Sequence, residues 1–325
     1  RYLDHHLKVI RQVSSHTIDS YRDCLNSFIN YLERIENVGR KKISFHNFEK
    51  ETIKRYQTWM VMEQGLAPKT CNLRLTAIRA FLEYAAQEYL WIMPVYTDAC
   101  TIVGVKTTNH AIEYFEPNEM TALLAAPSGN NKTDRRNQMM LIFLYDTAAR
   151  VAEARQVKVS DLHLDAEVPY VTLLGKGRKY RNIPLMDKTI LHLKRFLKDF
   201  HGSELKTDMP LFYSKIHGQV HELSSDTFEK MIKRYAAQCR AGGYPMPDNV
   251  HCHMIRKTRA MDLYREGVPL THIQQLLGHE NISTTSGFYA FATLDVLAKA
   301  METVNPDNGI KSWSNPDTLE RLYRL

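Results

Sequence analysis

The chain has 325 residues, enough for two domains at about 100–200 residues each, and 44% of them are apolar, which excludes a wholly disordered polypeptide. No apolar run is long enough to cross a bilayer as a helix and no charged-then-apolar leader opens the sequence, so a cytoplasmic protein with no membrane partner is expected. The formal charge of +7 favours a polyanionic partner, because lysines and arginines near phosphates release condensed counterions. The chain opens on Arg1 rather than methionine, which points to a trimmed N-terminus. Its five cysteines, Cys24, Cys71, Cys100, Cys239 and Cys252, are scattered without a Cys-x-x-Cys pair. That pattern suits reduced thiols and argues against a disulfide framework or a zinc site.

The first segment reads as helical throughout. Ile18, Tyr21, Leu25, Phe28, Ile29 and Leu32 recur at helical steps, with Ser15 or Thr17 as the cap. A second helix is expected over Phe48 to Met62 behind Asn47. A third begins at Pro68 and turns Leu73, Leu75, Ile78, Phe81, Leu82 and Tyr84 inward, leaving Lys69, Arg74 and Arg79 on a cationic face. Such a face suits a DNA clamp, and it suits plain solvation as well. Around residues 96–113 the periodicity fades into an extended linker.

Beyond the linker, helices are expected over Pro117–Ala126, Arg135–Thr147 and Val151–Gln156. A β-hairpin follows at Tyr170–Leu174 and Tyr180–Pro184, turning through Gly175 to Lys179. Further helices cover Lys188–Phe200, Ser224–Ala241, His253–Glu266, Pro269–Leu277 and Leu294–Val304. Leu319, Leu322 and Tyr323 make a short apolar patch in the tail.

Four local features carry chemical possibilities. Arg150 ends an apolar helix, and Glu153, three residues on, can brace it, although the two also read as a surface ion pair. Lys176 sits between two glycines at a hairpin tip, where a charged turn is also routine. The hairpin lacks the spacing of a phosphate-binding P-loop. His253 and Arg256 lie one turn apart, placing a proton-transfer group beside a phosphate-binding fork. His251 nearby invites a metal reading, but no completing ligand spacing is present, so no metal is expected. Last comes Leu276-Leu277-Gly278-His279, followed by Ser283-Thr284-Thr285 and Phe288-Tyr289-Ala290. Gly278 ends one helix, and the hydroxyl run can cap the next.

In this order, the features resemble the tyrosine recombinase (phage integrase) family, and the resemblance covers nearly the whole chain. His279 follows Arg256 by 23 residues, the usual family interval. The resemblance implies a mainly α fold with a small β-sheet. A helical, SAM-like core-binding domain would span residues 1–95, a linker 96–113, an α+β catalytic domain 114–304, and a tail 305–325 that docks in trans. It implies site-specific recombination of double-stranded DNA at paired sites by a homotetramer, aided by DNA-bending accessory factors and needing no cofactor. Arg150 and Arg256 would bind the nonbridging oxygens of the scissile phosphate, and Lys176 would protonate the leaving 5′ oxygen. His253 would serve as acid/base, His279 would hydrogen-bond a phosphate oxygen, and the tyrosine would form a 3′-phosphotyrosine link.

One departure leaves alternatives open. The family places its nucleophile nine residues after the residue equivalent to His279, and that slot here is Phe288, with Tyr289 one further on. Tyr289 is the expected nucleophile if the turn at Ser286-Gly287 holds one extra residue. Otherwise Phe288 makes a cleavage-dead DNA-binding protein. A type IB topoisomerase, which shares the chemistry, is the third reading.

Overall fold

The computed structural model of the chain describes residues 1–107, 113–127, 131–202 and 207–278, with the backbone alone of Lys176. The chain divides into two compact units, residues 1–110 and 111–325. Both are dominated by helices, and the second adds small antiparallel sheets, in keeping with the fold class expected from the sequence.

In the first unit a π-wound helix over Tyr2–Ile10 precedes α1 (Ser15–Arg34), α2 (Lys50–Met62), α3 (Pro68–Glu88) and α4 (Met93–Cys100). Ser14 caps α1, its hydroxyl accepting from the Thr17 amide at 3.2 Å, in place of the expected Ser15 or Thr17. Asn47 does not cap α2; its side chain accepts from the Ser44 amide at 2.9 Å and closes the preceding turn. Phe28, Leu32, Ile53, Tyr56, Ile78 and Leu82 form the centre of the core. The Tyr56 hydroxyl donates to Ser27 at 2.8 Å, so its buried polar end is satisfied. Leu73, expected inward, is 46% exposed.

The expected linker is corrected at its start, because Tyr96 to Cys100 complete α4. Few apolar side chains announce this helix; Val95, Tyr96 and Ala99 tie it to the core between polar neighbours. The segment beyond it is tethered too. The Asn72 side chain accepts from the Val105 amide at 2.8 Å and donates to the Val105 carbonyl at 2.9 Å. Arg79 belongs to no solvated cationic face; it donates to the carbonyls of Ala99 and Ile102, acceptors that a helix end leaves open. Residues 108–112 of the linker lie outside the described residues.

The second unit runs α5 (Pro117–Ala125), α6 (Lys132–Thr147), α7 (Val151–Gln156), β1 (Leu162–His163), β2 (Tyr170–Leu174) and β3 (Tyr180–Pro184). It continues with α8 (Asp187–Phe196), a π turn (Leu197–His201), β4 (Tyr213–Ile216), β5 (Gln219–Glu222), α9 (Ser225–Ala241), α10 (Cys252–Arg265) and α11 (Leu270–Leu277). β1, β2 and β3 form an antiparallel sheet in that order, with Val171 opposite Ile183 and Leu173 opposite Arg181. The β4–β5 hairpin was not expected. Its two turn residues, His217 and Gly218, take φ of 49° and 80°, the left-handed pair that a two-residue hairpin prefers. Phe143, Val171, Leu173, Ile183, Phe212 and Ile232 are buried together and fix the sheet against the helices. The expected helix at Leu294–Val304 and the apolar tail lie outside the described residues.

Candidate active site

The site begins where α6 stops. Ala148, fully buried, takes the left-handed conformation with φ 49° and ψ 28°. An L-residue resists that conformation by roughly 1–2 kcal/mol, so packing must hold it. Ala260, Met261, Ile273 and Leu277 from α10 and α11 close around it. The reversal puts Arg150 at the cap position of α7. Glu153 then reaches back, accepting from the Arg150 amide at 2.7 Å and from its guanidinium at 2.8 Å. Glu153 is 4% exposed, which rules out a solvated surface pair.

Two more arginines converge on the same carboxylate. Arg181 of β3 donates to both Glu153 oxygens, at 2.9 and 2.7 Å, and its Nε donates to the Leu276 carbonyl at 3.0 Å. Arg256 of α10 is 2% exposed; it donates to the Ala148 carbonyl at 2.8 Å and to the Leu277 carbonyl, and lies 4.0 Å from Glu153. Three guanidiniums therefore share one carboxylate, leaving an excess of two positive charges in a largely buried cluster. Burial alone would raise the Glu153 carboxyl, but the bonds from Arg181 and Arg150 outweigh it and pull its pKa down to about 2. Arg256 is pulled down from the usual guanidinium range, first by burial and then by the Arg150 charge. The pull of two arginines on Glu153 and the push of Arg150 on Arg256 both belong to a cluster with more positive than negative charge.

His253 precedes Arg256 by one turn of α10 and keeps an exposed edge. Crowding by protein atoms, then the charges of Arg256 and Lys257, push its pKa down to about 4. The imidazole is therefore neutral at neutral pH and can accept a proton. His251 sits at the start of the same helix, and its Nδ1 lies 3.2 Å from the Asn249 carbonyl. The backbone of Lys176 opens the turn after β2, where Gly177 takes φ of 73°. The Lys176 side chain, His279, Phe288 and Tyr289 lie outside the described residues. Of the expected set, the structure thus brings together Arg150, His253 and Arg256. Arg181 was missed. Its signal was strand alternation, since it shares the inward face of β3 with the buried Ile183. Among the described residues no three His, Cys, Asp or Glu side chains gather as a metal site.

Comparison with known proteins shows the family of the chain. The Phage integrase family profile matches residues 113–293, and the profile for the phage integrase N-terminal SAM-like domain matches residues 1–89. The chain belongs to the phage integrase family. It is a tyrosine-type site-specific recombinase, an enzyme that cleaves and rejoins DNA strands. The recombinase is 29% identical over 308 residues to the putative integrase/recombinase y4rC of Sinorhizobium fredii, covering 94% of this chain and 90% of that one. It is 32% identical over 285 residues to tyrosine recombinase XerD of Halalkalibacterium halodurans, covering 86% and 89%. The fold matches XerH site-specific recombinase bound to its palindromic difH substrate, with TM-score 0.70, 22% identity and coverage of 90% and 81%. It also matches the Tn1549 transposon integrase with circular intermediate DNA, with TM-score 0.67, 20% identity and coverage of 93% and 98%. The recombinase has no described helix long and apolar enough to cross a membrane.

Proposed function

We propose that Arg150, Lys176, His253, Arg256, His279 and Tyr289 form one cleavage site on duplex DNA, and that a homotetramer exchanges strands between two paired sites. The observation that carries this reading is the buried cluster of three guanidiniums around Glu153, which has positive charge to spare. Arg150, a third exposed, meets a nonbridging oxygen of the scissile phosphate from the open side, and Arg256 adds its charge from beneath. Preorganised cations of this kind stabilise the extra charge on a pentacoordinate phosphorus without reorganising. The Tyr289 oxygen attacks phosphorus as His253 takes the phenolic proton. The bond to the 5′ oxygen breaks, and that oxygen takes a proton from Lys176. The phosphotyrosine conserves the phosphodiester energy, and the reverse steps join a new 5′ hydroxyl. His279 hydrogen-bonds a phosphate oxygen. Residues 305–325 dock on a neighbouring protomer and couple the active sites, accessory factors bend the DNA, and the work takes place on cytoplasmic DNA.

A suicide duplex, nicked so that the 5′-hydroxyl fragment escapes, tests the reading. The protein should become covalently joined to DNA, with the adduct mapping to Tyr289. DNA binding without any adduct would overturn the proposal in favour of a binding protein.

Two further results are expected at named residues. The low pKa of His253 means that the free protein carries a neutral imidazole at all pH values well above about 4. The pH profile of kcat/KM reports groups of the free enzyme. Single-turnover cleavage at sub-saturating DNA should therefore show no His253 limb between pH 8 and pH 5. A limb near pH ~6.5, the ordinary imidazole value, that vanishes in His253→Gln would count against this environment. For Lys176, alanine should lose cleavage of ordinary DNA but keep cleavage of a substrate with sulfur at the 5′ bridging position. A thiolate leaves without a proton donor, so failure of sulfur to restore the variant selectively would remove Lys176 from the acid role.

A further inference from the structure

We infer that Arg181 is a positioning residue for strand cleavage, setting the Arg150 fork through Glu153. The inference rests on the site proposed above and extends it to a residue of the β-hairpin.

Three observations point the same way. First, Arg181 engages both Glu153 oxygens with two nitrogens of its one guanidinium, whereas the Arg150 guanidinium reaches a single oxygen and the Arg150 amide the other. A bidentate fork fixes the carboxylate plane, which a point charge would not. Arg150 hangs on that same plane, bonding the Glu153 oxygen that Arg181 Nη1 also bonds, so the carboxylate transmits the orientation from one arginine to the other. Second, Arg181 and Arg256 bind consecutive carbonyls at the end of α11, those of Leu276 and Leu277. Helix ends leave such carbonyls without partners, and cations there also meet the negative end of the helix dipole. Third, the backbone on both sides is shaped to admit this side chain. A Cβ on Gly278 would stand 3.2 Å from Arg181 Cδ and Nη1, and a Cβ on Gly175 would stand 3.2 Å from Nη1. Gly278 immediately precedes His279, and Gly175 immediately precedes Lys176. One side chain, 13% exposed, thus touches the approach to four of the six proposed site residues: Arg150, Lys176, Arg256 and His279.

Each Arg181 nitrogen donates to Glu153 or to Leu276, so the guanidinium is turned toward the protein rather than toward solvent. The shared Glu153 oxygen carries its effect to Arg150, and this separates it from a residue that merely holds the fold.

The test uses the full-length protein and a suicide duplex, with Arg181→Lys and Arg181→Gln measured beside Arg150→Ala and the double variant Arg150→Ala/Arg181→Gln. Arg181→Lys keeps a positive charge beside Glu153, so it guards against loss of the fold. The expected result is a fall in the saturating cleavage rate on the order of 10- to 100-fold, from misplacement of a reacting contact, with DNA affinity within about twofold of wild type. The double variant should be no slower than Arg150→Ala, because residues acting as one unit are not additive. A methylphosphonate at the scissile position carries no charge for Arg150 to bind, so it should restore Arg181→Gln and Arg150→Ala alike. Wild-type cleavage by both Arg181 variants, or a loss that adds to that of Arg150→Ala, or a loss shared with DNA affinity and untouched by the methylphosphonate, would overturn the inference. If instead Arg150→Ala itself cleaves normally, the site reading fails, and the two failures are told apart.

Discussion

Arg256→Ala is expected to slow strand cleavage by about 10²–10³-fold, the usual loss for one preorganised donor to a developing oxyanion, with DNA binding largely retained. The rate and the fold must be separated, because the guanidinium does structural work as well. It is 2% exposed and satisfies the Ala148 and Leu277 carbonyls. Alanine would strand both, at about 1–3 kcal/mol for each acceptor left buried and unpaired. Arg150→Ala is the cleaner partner. Its side chain is a third exposed and, among the described residues, makes no bond to a helix-end carbonyl, so the same fall in rate should come with little change in melting temperature. Arg150→Lys should recover less than a tenth of the activity, because an ammonium cannot hold Glu153 and a phosphate oxygen with one planar fork. Single-turnover rates at saturating DNA, set beside thermal unfolding of each variant, decide the matter. Normal cleavage by Arg150→Ala would remove it from the site.

The second large effect concerns the nucleophile. Tyr289→Phe should abolish the covalent adduct on a suicide duplex and leave binding intact, whereas Phe288→Tyr should add nothing. The reasoning is geometric. Successive residues of a helix point about 100° apart, so Phe288 and Tyr289 cannot both face one phosphorus. The spacing from His279 favours position 288, but only Tyr289 carries a hydroxyl. Gly287, just before, can absorb a one-residue bulge. The opposite outcome is equally definite: no adduct from the natural chain and an adduct created by Phe288→Tyr would identify a cleavage-dead protein.

Much of this architecture could be read from the residues, and the parts that could not share a physical cause. The hairpin at Tyr170–Leu174 and Tyr180–Pro184 and the short helix Val151–Gln156 stand as expected, because alternation, glycines and the i,i+3 pair of Arg150 and Glu153 are all local signals. The β4–β5 hairpin was hidden, since every residue of β5 is exposed and no alternation marks it. The helix at Tyr2–Ile10 lies in the segment expected to be helical, but nothing local marked its bounds. What holds it is distant: the Tyr2 ring packs 5.5 Å from Phe81 and 5.2 Å from Tyr84. In the site, Arg150, His253 and Arg256 were recognisable by order and spacing, and even the brace by Glu153 was visible. Arg181 was not, because its meaning depends on a carboxylate 28 residues away that only the fold brings beside it.

The excess of arginines around Glu153 also sets stability against activity. Like charges held together in a buried place weaken the free fold, and the protein carries that cost whether or not DNA is present. On the proposed reading of the site, a bound phosphate relieves it, and site DNA would act as a folding ligand as well as a substrate, raising the melting temperature of the recombinase.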